Sequence, residues 1–404
     1  VITAGTFSIS DGIKRLTGTA RIGVHNAAPV VTPGTAFKKL KPNPLEANVS
    51  DSWIPAALLP NIFSEKPIDG EHLAIVRRDD VRLNAICAAH PQVNEFIHQF
   101  TDTFGVPIEP MILLVREDCK HVSVDAIASF RDLLALSVVP YSRALGTVYG
   151  NHAADRISYS NSFLLYPWTF SADYQHIVAN TPGFKGVHLT SEFHGQSSPE
   201  IPPLELDAID MPLLRSLLRR WERHYLGKRA RWHDRVLFRS LNMAYQAAQM
   251  PAPGIDVTIY DLGRLIALWV SAFEILAHTR TGGSGVKQVF SLLNQVAYRQ
   301  SALGHRKFSA FVSRNRKIRA SLPCWIYGGL YRARCDFLHG NPIRKDRLSF
   351  TGARVSLFWI APSLYRLALA GFLKLPHESL STGGIHADPQ SIIERAILRA
   401  RRTR

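Results

Sequence analysis

Apolar positions follow two different rhythms along this chain, and the change falls near residue 203. Before it, short apolar runs alternate with helical spacing. His72 to Arg77 and Met111 to Val115 have the length and content of strands, and Asn94 to Phe104 is expected to form a helix between them. From Val122 to Leu145 the positions Ile127, Leu133, Leu134, Leu136 and Val138 predict a long amphipathic helix. Tyr159, Phe163, Tyr166, Trp168 and Phe170 suggest an aromatic strand, and Gly186 to Thr190 another. Residues 1–70 are rich in Pro, Gly, Ser and Asn, so loops, short strands and an arm packed on the rest are expected there. This pattern predicts a mixed α/β domain over residues 1–203.

The segment Ser197-Ser198-Pro199-Glu200-Ile201-Pro202-Pro203 holds too many prolines for a regular element, and it marks the predicted boundary. Beyond it the spacing becomes helical. Asp210 is placed to cap a helix through Leu213, Leu214, Leu217, Leu218 and Trp221. Further helices are predicted over Trp232–Met250, Ile259–His278, Val286–Arg299, Pro323–His339, Arg354–Lys374 and Asp388–Arg404. The helix ending at His339 has the clearest stop, because Gly340 supplies a left-handed residue and Pro342 forbids continuation. The expected fold class is α+β overall, with an all-α helical bundle over residues 204–404.

Charge sharpens this division. The chain of 404 residues carries a net +16. Residues 1–204 hold 16 Lys and Arg against 19 Asp and Glu, whereas residues 205–404 hold 32 against 13. A basic half beside a near-neutral half is the footprint of a polyanion partner, and RNA is the partner expected. A solvated basic face without a partner, or one meeting acidic lipids, is the plainer alternative. The four cysteines, Cys87, Cys119, Cys324 and Cys335, form no C-x-x-C pair, so neither a disulfide framework nor a cysteine-based zinc site is expected. Neither Leu262–Ala277 nor Val355–Leu375 offers about 20 uninterrupted apolar residues, and no membrane span is expected. The first residues lack a basic stretch followed by an apolar core, so no signal peptide is expected and a cytoplasmic setting is.

Within Tyr331-Arg332-Ala333-Arg334-Cys335-Asp336-Phe337-Leu338-His339-Gly340-Asn341, Arg334 and His339 form an R-x4-H pair. The spacing recurs at Arg116/His121 and Arg219/His224, but only Arg334/His339 lies at the end of a well-terminated helix. Five residues along a helix rotate side chains by roughly 140° and advance them by about 7.5 Å. The two side chains converge only if the helix unwinds near Gly340 or if a second copy completes the site across a two-fold axis. On the plainer reading, the pair caps carbonyls and binds Asp336 or Glu274.

These residues resemble the HEPN superfamily, and in particular its Apea-like members, over residues 205–375. The apolar stretch Leu265-Ile266-Ala267-Leu268-Trp269-Val270-Ser271-Ala272-Phe273-Glu274-Ile275-Leu276 matches the long helix that precedes the motif helix in that family. One departure is Cys335, where the family has Asn, Asp or another polar residue. The resemblance implies a helical bundle, a homodimer and metal-independent endoribonuclease activity, in the setting of a toxin or antiviral defence effector. It assigns catalysis to Arg334 and His339, with Glu274, Asp336, Asn341 and Arg332 in supporting positions, and requires no cofactor. A catalytically inactive RNA- or nucleotide-binding sensor and a dimerisation scaffold are the alternatives.

RNA-binding candidates are Arg219, Arg220, Arg223, Arg229, Arg314, Arg316 and Lys317. In the basic run Arg215–Arg239, Trp221 and Trp232 are expected to face the core. His188, Glu192 and His194 lack helical metal-ligand spacing, and no metal is expected there. Gly282-Gly283-Ser284-Gly285-Val286-Lys287 lacks the order of a phosphate-binding loop, and no nucleophile elbow occurs.

Overall fold

The computed structural model describes residues 53–102, 104–119, 122–150, 159–165, 169–171, 173–181, 184–192, 195–196, 204–227, 231–251, 258–305, 307–341, 348, 355–375 and 388–400. Residues 1–52 of the expected arm, the Pro-rich segment 197–203, and His121, His194, Arg229 and Pro342 lie outside these residues.

Strands β1 (Trp53–Leu59), β3 (Ile68–Asp69), β4 (Leu73–Val76) and β6 (Met111–Arg116) form an antiparallel sheet in the order β1-β6-β4-β3. Successive residues feed opposite cores, as the two-residue pleat requires. Leu58, Ala74, Val76, Ile112 and Leu114 pack with Leu83, Ile86, Val93 and Phe96. Ala57, Leu59, Leu73, Ile75, Met111, Leu113 and Val115 join the larger core with Phe130 and Leu134. Both faces are covered, which is why β6 reads as a continuous apolar run rather than an alternating one.

The first of these cores is closed by α1 (Val81–Ala89) and α2 (Pro91–His98). The single helix expected over Asn94–Phe104 is therefore displaced. Asp80 caps α1 by accepting the Arg82 N–H at 2.9 Å, Pro91 begins α2, and Phe100 already belongs to β5 (Phe100–Thr101). β2 (Ile62–Phe63) pairs in parallel with β11 (Leu204–Glu205), and β5 with β10 (Gly195–Gln196). β7 (Thr169–Phe170), β8 (His176–Thr181) and β9 (Phe184–Leu189) form a three-stranded meander. Of the aromatic strand expected over Tyr159–Phe170, only Thr169–Phe170 is a strand among the described residues, and Tyr166 and Trp168 lie outside them. Ser160–Phe163 is a 3-10 turn, because Ser160 donates its N–H to Ala248 O at 3.2 Å and its hydroxyl to Tyr245 O at 2.6 Å.

The other face of the sheet lies on α3 (Val124–Tyr149), capped by Ser123, whose Oγ accepts the Ala126 N–H at 3.2 Å. This helix packs against α4 (Met211–Tyr225), α5 (Trp232–Ala247), α10 (Leu357–Leu373) and α11 (Pro389–Arg399). Trp221 is fully buried in that seam and donates its indole N–H to Ala126 O at 2.8 Å. One core therefore runs across position 203, and Asp51–Arg404 forms one compact unit. Asp210 caps α4 as expected, accepting the Leu213 N–H at 3.1 Å.

The remaining helices are α6 (Ile259–Leu276), α7 (Val286–Asn294), α8 (Ser301–His305) and α9 (Leu322–Leu338). α6 starts on a reciprocal capping box between Thr258 and Asp261. The C-terminal part is not all helical, however. β12 (Phe308–Ser313) and β13 (Arg316–Ala320) make an antiparallel hairpin that lies on α9. It docks closely because residue 328 is glycine: a Cβ there would stand 2.9 Å from the Phe311 carbonyl oxygen. Among the described residues no helix is long and apolar enough to cross a membrane.

Candidate functional site

Helix α9 carries the R-x4-H pair, and its termination follows from three residues. The His339 N–H still donates to Cys335 O at 3.1 Å, Gly340 turns left-handed at φ 66°, and the Asn341 N–H reaches back to Asp336 O at 3.0 Å. That last bond, from the second residue past the cap to the third from the end, completes a Schellman stop. Asn341 Nδ2 also donates to Asp336 Oδ1 at 3.4 Å, so both residues serve the stop itself. The helix remains regular through Leu338, and unwinding between Arg334 and His339 does not occur.

Their environments differ. His339 is exposed at the helix end, next to an exposed Leu338. Arg334 is half-buried, with its guanidinium 5.9 Å from the Tyr331 ring centroid and no hydrogen-bond partner for its buried Nε. The facing wall is α6, which runs antiparallel to α9. Phe337 sits where a Cβ on Gly263 would come within 2.5 Å of its ring, and Phe273 meets Tyr327 edge-on at 5.1 Å. α6 also brings Glu274 into the seam. Burial pushes its carboxyl above the ordinary carboxylate range, and the Arg334 charge opposes that shift. Tyr327 is fully buried, its hydroxyl has no partner, and burial raises its phenol well above the usual value, with the Glu274 charge adding to the effect. The seam thus holds a cation, a carboxyl and a phenol whose mutual hydrogen bonding is incomplete.

A ladder of rings and cations joins this seam to the hairpin. The Arg332 guanidinium lies 5.5 Å from the Phe311 ring, Phe311 is 6.4 Å from Tyr331, and Tyr331 underlies Arg334. Each cation–ring contact is favourable, and a guanidinium loses less hydration there than an ammonium. Beyond the ladder, Arg314, Arg316, Lys317 and Arg319 are exposed around the hairpin turn. The sequence gives no warning of the hairpin. Its alternation spans only about five residues per strand, within the range where strand and helix patterns are confused.

The α4 candidates are placed elsewhere. Arg219 is exposed, but Arg220 and Arg223 hold Asp234, which is 0% exposed, at 3.1 and 2.9 Å. Burial raises the Asp234 carboxyl, and the hydrogen bonds from Arg223 and Arg220 outweigh it, leaving it below its ordinary range. Both arginines are therefore committed to a structural anion. His224, in the competing Arg219/His224 pair, stacks on Phe238 at 5.1 Å, and burial lowers its pKa. Neither arrangement resembles the exposed His339. No family model, curated protein or solved structure matches the chain.

Proposed function

We propose that this protein is an endoribonuclease that cuts RNA without a metal ion, with Arg334 and His339 meeting across a homodimer of HEPN-like domains. The observation that carries this reading is the helix end itself. α9 stays regular to Leu338 and still presents Arg334 half-buried in the α6 seam and His339 exposed beyond it, so one copy alone leaves the pair apart. The hairpin cations beside the motif supply a track for the phosphate backbone.

In that reaction neutral His339 takes the proton of a ribose 2′-hydroxyl. The 2′-oxygen then attacks the adjacent phosphorus, the P–O5′ bond breaks, and the departing 5′-oxygen takes a proton from water. Arg334 stabilises the charge that develops on the phosphoryl oxygens, an interaction stronger in the transition state than before it. The products are a 2′,3′-cyclic phosphate and a free 5′-hydroxyl. A second reading, RNA binding without cleavage, is favoured by Cys335 beside the motif arginine and by the partial burial of Arg334. Purified protein incubated with total RNA in EDTA separates the two. Cleavage that His339→Ala abolishes, with RNA binding retained, is expected; intact RNA, or cleavage unaffected by the substitution, favours binding alone.

A further inference from the structure

The end of the sheet remote in sequence from α9 holds a second cluster of chemically capable side chains. β4 pairs with β6 so that Leu73 faces Val115, which sets His72 beside Arg116; the Arg116 N–H donates to His72 O at 3.1 Å. Past Arg116 the chain turns back, and the Cys119 N–H bonds to Arg116 O at 3.0 Å. This turn carries Asp118 and Cys119 over His72. A ring nitrogen of His72, a carboxylate oxygen of Asp118 and Cys119 Sγ lie within 4.8 Å of one another. Glu222 of α4 approaches from a third direction, accepting the backbone N–H of Glu71 and sensing the charge on His72. It also acts electrostatically on Cys119.

Two details distinguish this cluster from a chance gathering of surface groups. His72 Nδ1 is buried and has no hydrogen-bond partner, a condition that buried imidazole nitrogens rarely tolerate. Asp118 is clamped by Arg116, with Nε at 3.2 Å from Oδ1 and Nη2 at 3.0 Å from Oδ2. Carboxylate ligands are held in the same way by outer partners in metal sites. Cys119 Sγ meets Asp118 Oδ1 at 3.7 Å, and His72 Nε2 stands 3.8 Å from Glu71 Oε1.

We propose that His72, Asp118 and Cys119 form a site for a zinc-class divalent ion. An imidazole, a thiolate and a carboxylate suit borderline-soft ions of this class, whereas calcium and magnesium take oxygen ligands alone. Zinc–ligand bonds of about 2.0–2.3 Å place tetrahedral donors roughly 3.3–3.8 Å apart. The donors here need to close by about 1 Å, a shift within reach of side chains on a partly exposed turn. Three protein ligands hold the ion and solvent completes its coordination sphere, so the ion acts as a clip. It joins the β3–β4 turn to the loop after β6, two segments far apart in sequence. Binding releases the Cys119 proton to solvent, with no change of oxidation state.

Stripping the full chain with EDTA and then dialysing it against zinc tests this directly, with bound metal measured by mass spectrometry. One zinc per chain is expected, together with a rise in Tm. Cys119→Ser and His72→Ala should each bind zinc at least about tenfold more weakly, in line with the sensitivity of such sites to their ligand shells. Cys87→Ser should bind as the wild type does. Cobalt offers a readout that needs no variant: a thiolate-to-cobalt charge-transfer band is expected in the wild type. Absence of that band, or equal zinc binding by Cys119→Ser and wild type, overturns the proposal. The readout is metal content rather than RNA cleavage, so its outcome is independent of the reaction at α9.

Discussion

Two arginines on neighbouring helices live in opposite circumstances. Arg366 of α10 is 2% exposed, and its Nε donates to Asp210 at 2.7 Å while its Nη1 donates to Gln390. Gln390 passes a hydrogen bond to Glu394 at 2.7 Å, and Glu394 accepts the N–H groups of Arg299 and Gln300 at 3.0 and 2.7 Å. This network ties α10, α4 and α11 together, and its groups find partners within the fold. Arg334 of α9 keeps a buried Nε without one, beside the unpartnered hydroxyl of Tyr327 and a half-buried Glu274. Closed networks specify a fold, whereas open ones cost stability and persist where something else uses them. The Arg366 network is architecture, and the Arg334 seam leaves a buried Nε and a buried phenol without that closure.

The largest expected effect comes from breaking the closed network. Arg366→Ala leaves the Asp210 carboxylate and Gln390 Oε1 without their cation in the core, and a loss of about 3–5 kcal/mol in denaturant unfolding is expected. A loss below about 1 kcal/mol would show that the network is not the anchor described here. Next comes the hairpin. Replacing Arg314, Arg316 and Lys317 together by Ala should lower the slope of log affinity for single-stranded RNA against log salt by about 2. An unchanged slope would remove the hairpin from the binding surface. Tyr327→Phe should be neutral or stabilising within about 1 kcal/mol, because the hydroxyl it removes has no partner. Destabilisation of several kcal/mol would mean that the seam is closed after all.

The smallest effect is a pH dependence. Burial raises the Glu274 carboxyl, so its favourable contribution is complete at low pH, below the ordinary carboxylate value. That contribution is lost as pH rises through the raised folded value. Glu274→Gln removes the titration, and its stability relative to wild type should improve as pH climbs from 4 toward 7. Thermal melts across that range measure the difference, and parallel curves would place Glu274 in solvent.

The open seam was partly legible in the sequence and the closed network was not. Gly340 and Asn341 follow a helix pattern directly, and such a stop reads locally. Likewise the Asp210 cap and the continuous apolar run of β6 are short-range signals. The partners of Arg366 come from segments joined only by tertiary packing, and no spacing announces them. The hairpin was hidden because its strands are short and their arginines read as solvated charge. His72 and Cys119 were hidden for a third reason: only the β4–β6 register brings them together. Asn94–Phe104 was misplaced because Pro91, a helix opener at this position, carries more weight than the apolar spacing that follows it.

Mixing two inactive variants decides whether the proposed site is shared between two copies. Arg334→Ala and His339→Ala proteins, each folded by circular dichroism and each inactive alone, are unfolded together, refolded as a mixture and assayed on RNA in EDTA. If one copy supplies Arg334 and the other His339, mixed dimers contain one intact site and one doubly damaged site, and roughly a quarter of wild-type activity returns. A mixture that stays inactive, although mixed dimers form and bind RNA, contradicts the shared site.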